Sequence, residues 1–155
     1  MNWRKWLFWT LFLQAFASGA QNLTYDGFPS LNWPVLYSVT YKPAPGAGKD
    51  DAKIPVFNEK LRALEGKSIV LPGYMVPAST GLKVEEFMFS SLPLNACFFC
   101  GVGGPETVVL VKLKRAESFY DRPIEVKGVL RLLPSDPDGL IYVLEQSEIL
   151  GEIDF

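Results

Sequence analysis

From residue 67 onward the apolar side chains fall at every second position, the period of strands packed on one face. Over residues 67–76, Ile69, Leu71, Gly73 and Met75 share a side. Residues 84–91 bring Phe87 and Phe89 to one face, and residues 107–114 do the same for Val109, Val111 and Leu113. A fourth strand is expected over 122–133, where Ile124, Val126, Gly128, Leu130 and Leu132 are in phase, and a fifth over 140–145. The six residues Pro134-Ser135-Asp136-Pro137-Asp138-Gly139 between the last two have the composition of a turn.

Upstream the pattern changes. Residues 56–65 carry Phe57, Leu61 and Leu64 at helical spacing, with Gly66 placed for a left-handed end, and predict one short helix. Residues 43–51, with two prolines and two glycines, read as a loop. Asn32-Trp33-Pro34 fits either a capped helical turn or a strand. Gly73 and Gly128 occupy the same phase in the first and fourth strands, and glycine inside a strand serves a sheet that must bend sharply. Five strands with such bends, and too few helices for parallel crossovers, predict a mainly β fold. The expected form is a small, partly open, five-stranded antiparallel barrel of the OB type with one or two short helices. An open α+β sheet is the competing arrangement.

The first twenty residues stand apart. Arg4 and Lys5 precede an apolar run from Trp6 to Phe16, followed by Ala17, Ser18, Gly19 and Ala20, the layout of a secretory signal peptide cleaved before Gln21. The run is interrupted by Thr10 and Gln14 and falls short of the roughly 20 apolar residues that span a bilayer. The expected division is therefore a signal peptide over 1–20 and one OB-like domain over 21–155, exported to the periplasm or cell envelope, with no stable membrane span. Of 15 basic residues export removes two, leaving 13 against 17 acidic ones, a balance of −4. Such a surface does not displace counterions from phosphates, so nucleic acid is not an expected partner.

Candidate chemistry concentrates in Cys97-Phe98-Phe99-Cys100-Gly101, the connection between the second and third strands, which runs on through Gly103, Gly104 and Pro105 to Glu106. Two thiolates three residues apart can hold zinc or copper, with glycine after the second letting the backbone turn toward the sulfurs. Half a tetrahedral site is missing, however, and the chain has no histidine to complete it. Glu106 or Asp121 are the carboxylates considered as oxygen donors. The lack of histidine also removes covalent haem attachment and imidazole-assisted nucleophilic catalysis. A redox pair of the thioredoxin kind needs a helix after the cysteines, whereas a glycine-rich stretch and a strand follow here. A structural disulfide between Cys97 and Cys100, suited to an oxidising compartment, would add only about 1–2 kcal/mol through chain entropy. Phe98 and Phe99 serve either as core anchors or, if exposed, as a binding surface.

Several of these stretches together resemble a known family: Leu64-Glu65-Gly66-Lys67-Ser68-Ile69-Val70-Leu71-Pro72-Gly73-Tyr74-Met75-Val76-Pro77, the cysteine loop with Gly104-Pro105-Glu106-Thr107-Val108, and Val126-Lys127-Gly128-Val129-Leu130. The chain is similar to the bacterial domain-of-unknown-function family thirty-two ninety-nine, in its Bacteroidetes-like form, over about residues 33–148. The resemblance implies a small exported β-rich domain and supplies no reaction. Relatives of another form carry one cysteine and a histidine in a proline-rich loop; this chain lacks that histidine, so no role depending on it transfers.

The expectation from sequence is a non-enzymatic exported domain that binds an envelope protein or small ligand through Cys97, Phe98, Phe99, Cys100, Gly101 and Glu106. The alternatives are a metal-handling protein using Cys97 and Cys100, and a thiol-disulfide redox protein. No cofactor is required by the first reading; zinc or copper belongs to the second.

Overall fold

The computed structural model describes residues 24–25, 28–29, 33–46, 53–76, 83–93, 103–135 and 139–153. The expected signal peptide lies outside these residues. In chain order the elements are β1 (Thr24–Tyr25), β2 (Phe28–Pro29), α1 (Trp33–Leu36), β3 (Thr40–Pro43), β4 (Lys53–Val56), α2 (Glu59–Arg62), β5 (Ser68–Val76), β6 (Val84–Ser90), β7 (Val108–Glu117), β8 (Ile124–Leu132) and β9 (Tyr142–Glu152). A 3-10 turn, Pro105–Thr107, leads into β7.

The last five strands form a barrel in the order β5-β6-β7-β9-β8, closed by β5 pairing with β8. This is the five-stranded barrel of OB type expected from the alternation, with two corrections. The barrel is closed rather than partly open, because β5 is shared: Ser68 to Gly73 pair with β8, and Tyr74 to Val76 pair with β6. It is also not wholly antiparallel, since β9 runs parallel to β7, Leu110 standing opposite Val143. Inserting the last strand between β7 and β8 makes it antiparallel to β8, and so parallel to β7.

Gly73 stands where β5 changes partners. A Cβ there would lie 2.5 Å from the carbonyl oxygen of Ser90 and 3.0 Å from the Phe89 ring, so only glycine lets the two strands approach. The interior is filled by the residues that alternation selected: Ile69, Leu71, Met75, Phe87, Phe89, Val109, Val111, Ile124, Val126 and Leu130 are all buried. Phe87 and Phe89 meet edge to face, with centroids 6.1 Å apart.

The helices close one end, where β6 and β8 finish and β5, β7 and β9 begin. α1 settles the ambiguity at Trp33-Pro34 in favour of a helical turn, and Asn32, the expected cap, lies outside the described residues. Its buried Trp33 and Leu36 are anchored through polar atoms: Trp33 Nε1 donates to the Pro72 carbonyl (2.6 Å), and the buried Tyr142 hydroxyl donates to the Leu36 carbonyl (2.7 Å). α2 is shorter than predicted, because Val56 is consumed by β4, where it pairs with Thr40, and Asn58 then caps the helix by accepting from Leu61 N at 3.0 Å. Gly66 has φ +72°, the left-handed end expected of it. Residues 44–46 follow the predicted loop, but Pro43, expected in it, pairs with Lys53 in the β3–β4 hairpin, which alternation had not indicated.

Candidate functional site

The connection between β6 and β7 leaves the barrel at its helix-covered end. Cys97, Phe98, Phe99, Cys100 and Gly101 lie outside the described residues; the two stems of their loop and Glu106 lie within them. The stems are tied together at their base. Ser91 N and Ser91 Oγ both donate to the Thr107 carbonyl, at 3.0 and 3.2 Å. Tyr37, just past α1, adds a bond from its hydroxyl to Ser91 Oγ at 2.6 Å.

The second stem is built around its two glycines. Thr107 Oγ1 donates to the Gly104 carbonyl at 2.7 Å, and the Thr107 amide donates to the same oxygen at 2.9 Å. A Cβ on Gly103 would lie 2.5 Å from Thr107 Oγ1, and one on Gly104 would collide with the Glu106 carboxylate. The glycines therefore do more than loosen a loop: each leaves room for a side chain that folds back over it.

Glu106 was expected among the binding residues. Its Oε2 accepts a bond from the Tyr41 hydroxyl of β3 at 2.6 Å, joining the hairpin to the loop stem. Burial and then Glu106 hold the Tyr41 phenol well above its ordinary pKa. Burial likewise raises the Tyr142 phenol, with the Glu106 charge as a second cause. Glu106 thus acts on two phenols, bonding one and raising the other through its charge. Asp121, the other carboxylate considered, lies in the β7–β8 connection at the opposite barrel end. The run of β7 between them, roughly 30 Å at about 3.3 Å per residue, keeps the two acids out of one site. Among the described residues no three Cys, Asp or Glu side chains stand close enough to hold a metal ion.

Sequence reasoning missed Tyr41 because its partner is 65 positions away, and proline on both sides of the hairpin hid the strands. The signal that was available is Pro55. An edge strand tolerates proline, and among the described residues β4 pairs only with β3.

By fold, then, the chain is a small closed β-barrel of OB type, its candidate site in the connection between the second and third barrel strands. No protein-family model and no curated protein matches the chain. Among solved structures it is similar to a DUF3299 family protein from Pseudomonas aeruginosa PAO1, with 18% sequence identity and a TM-score of 0.48 over 82% of this chain and 99% of that one. DUF3299 is the family thirty-two ninety-nine that the sequence motifs resemble. No helix among the described residues is long and apolar enough to cross a membrane.

Proposed function

We propose that the protein is an exported binding or adaptor domain of the periplasm or cell envelope, without enzymatic activity, that presents the loop of Cys97 and Cys100 to a protein partner or small ligand. What supports this reading is the built stem. Ser91 and Thr107 tie the two stems of the loop together at the barrel end, and the Tyr41–Glu106 bond ties the second stem to the β3–β4 hairpin, as a scaffold holding a recognition loop does. Glu106 in this reading positions the loop through Tyr41.

The test uses the full chain expressed with its amino terminus and purified without added metal. Export predicts a recovered protein beginning at Gln21. The binding role predicts a zinc and copper content no higher than that of a Cys97→Ser Cys100→Ser variant. It also predicts a pair, free or bonded, that does not exchange rapidly with millimolar-scale dithiol reagents. Stoichiometric metal lost in the double variant would replace this reading with metal handling. A disulfide that cycles readily at a relatively oxidising potential would replace it with thiol-disulfide chemistry.

A further inference from the structure

A second feature of the helix-covered end is independent of the cysteine loop's role. A hollow of about 370 Å³ lies between the β3–β4 hairpin, Pro105 and the β8–β9 connection, with Tyr41, Ile54, Pro55, Leu140 and Ile141 on its walls and Lys53 beside them. A neighbouring hollow of about 300 Å³ is lined by Pro55, Phe57, Arg62, Glu65, Leu132 and Pro134. Pro55 and Pro134 line both, so the two form one trough bent over a proline ridge. Each lies within the roughly 300–1,000 Å³ of small-molecule sites.

The wall chemistry selects the occupant. Pro55, Pro105 and Pro134 have no N–H, so this surface offers few donors to a peptide backbone, and β4 cannot accept an added strand at Pro55. The one phenol in the trough, Tyr41, already donates to Glu106. An apolar chain needs no such partners. The charges point the same way. Glu65 is paired with Arg131 and Arg62 Nε donates to the Phe57 carbonyl at 2.9 Å, whereas Lys53, on the wall of the first hollow, makes no ion pair among the described residues. A cation beside an apolar trough is complementary to a ligand with one negative head and an apolar body.

We propose that this trough binds a single-chain anionic amphiphile of the long-chain carboxylate class, its chain against Ile54, Pro55, Leu140 and Ile141 and its head at Lys53. The probe is dodecanoate, titrated below its micelle concentration into the full chain and followed by calorimetry. Dodecanol and dodecyl phosphate serve as comparison arms. The proposal expects saturable one-to-one binding of dodecanoate, about tenfold weaker binding of dodecanol, and a similar loss on Lys53→Glu, an exposed position. Leu140→Trp, which fills the hollow, should weaken dodecanoate at least as much, with the thermal midpoints of both variants confirming that they fold. Dodecyl phosphate binding more tightly than dodecanoate would assign the head site to phosphate and overturn the carboxylate. Equal affinity for acid and alcohol, or indifference to Leu140→Trp, would overturn the site itself. So would a ligand-free dimer that Leu140→Trp dissolves, since the trough would then belong to a second copy. The Cys97→Ser Cys100→Ser protein should bind dodecanoate unchanged; loss there would move the ligand to the cysteine loop. This result stands apart from metal or redox outcomes for the cysteines.

Discussion

Gly128 shows how one residue sets a strand's course. It faces the barrel interior, and a Cβ there would collide with Ser147 Oγ and lie 3.0 Å from Leu144 Cβ. Opposite it β9 bulges. Lys127 pairs with Glu148 but Val129 with Glu145, so Gln146 and Ser147 together stand opposite Gly128 and β9 accommodates one extra residue. Gln146 takes φ +51°, and Ser147 turns inward, its hydroxyl donating to the Leu144 carbonyl at 3.0 Å. Gly128→Ala should therefore cost about 1–3 kcal/mol in a urea denaturation, the range for overpacking a filled core. Gln146→Gly should be neutral or stabilising by up to about 1 kcal/mol, because it relieves the left-handed backbone at an exposed site. The bulge also explains why the sequence predicted a fifth strand ending at Glu145. Alternation breaks at Gln146 and resumes one step out of phase, and a period-two reading takes that break for a strand end. The glycine at position 128 was legible from its phase, whereas the serine opposite it was not, since nothing local marks a residue as half of a bulge.

At the scale of elements, the loop stem and the hairpin are held by side chains rather than by length. Four-residue helices and strands have little stability of their own. The stem depends on Thr107, only 8% exposed, whose hydroxyl holds the Gly104 carbonyl. Thr107→Val keeps the shape and removes the donor. It should cost about 1 kcal/mol and speed hydrogen exchange at the Ser91 amide, which is bonded to the Thr107 carbonyl. An unchanged exchange rate would mean that the stem does not rely on this residue. The sequence revealed the barrel strands because burial on one face imposes period two. It concealed the hairpin because β3, with Thr40 to Pro43 all solvent-facing, and β4, with Ile54 to Val56 all half-buried, impose no period. The site shares that fate: Glu106 was noticed beside the cysteines, but its partner Tyr41 is brought to it only by the tertiary fold.

For the whole molecule, the two raised phenols set a pH dependence. Tyr41 and Tyr142 lose their protons in the folded chain only well above the ordinary tyrosine value of about 10. The unfolded chain releases those protons first. The stability they contribute is thus fully present below about pH 10 and falls as pH rises beyond it. Urea midpoints should be level between about pH 8 and 9.5 and decline above that range. Tyr142→Phe should make the decline shallower while costing about 1–2 kcal/mol near neutrality, where the Leu36 carbonyl loses its partner. The number of barrel strands and their inward faces were legible in the sequence, but their order was not, because periodicity carries no record of which strand lies beside which. That order has a kinetic consequence. β5 completes the ring only by meeting β8, with Ser68 opposite Val129, and β9 must pair with β7 as well as with β8. Contacts so distant along the chain incur the loop-closure cost before any local reward, so folding should take on the order of milliseconds to seconds. The β5–β6 and β8–β9 hairpins, closed by the shorter connections 77–83 and 133–141, are placed to form early, and the seam between β5 and β8 to form last.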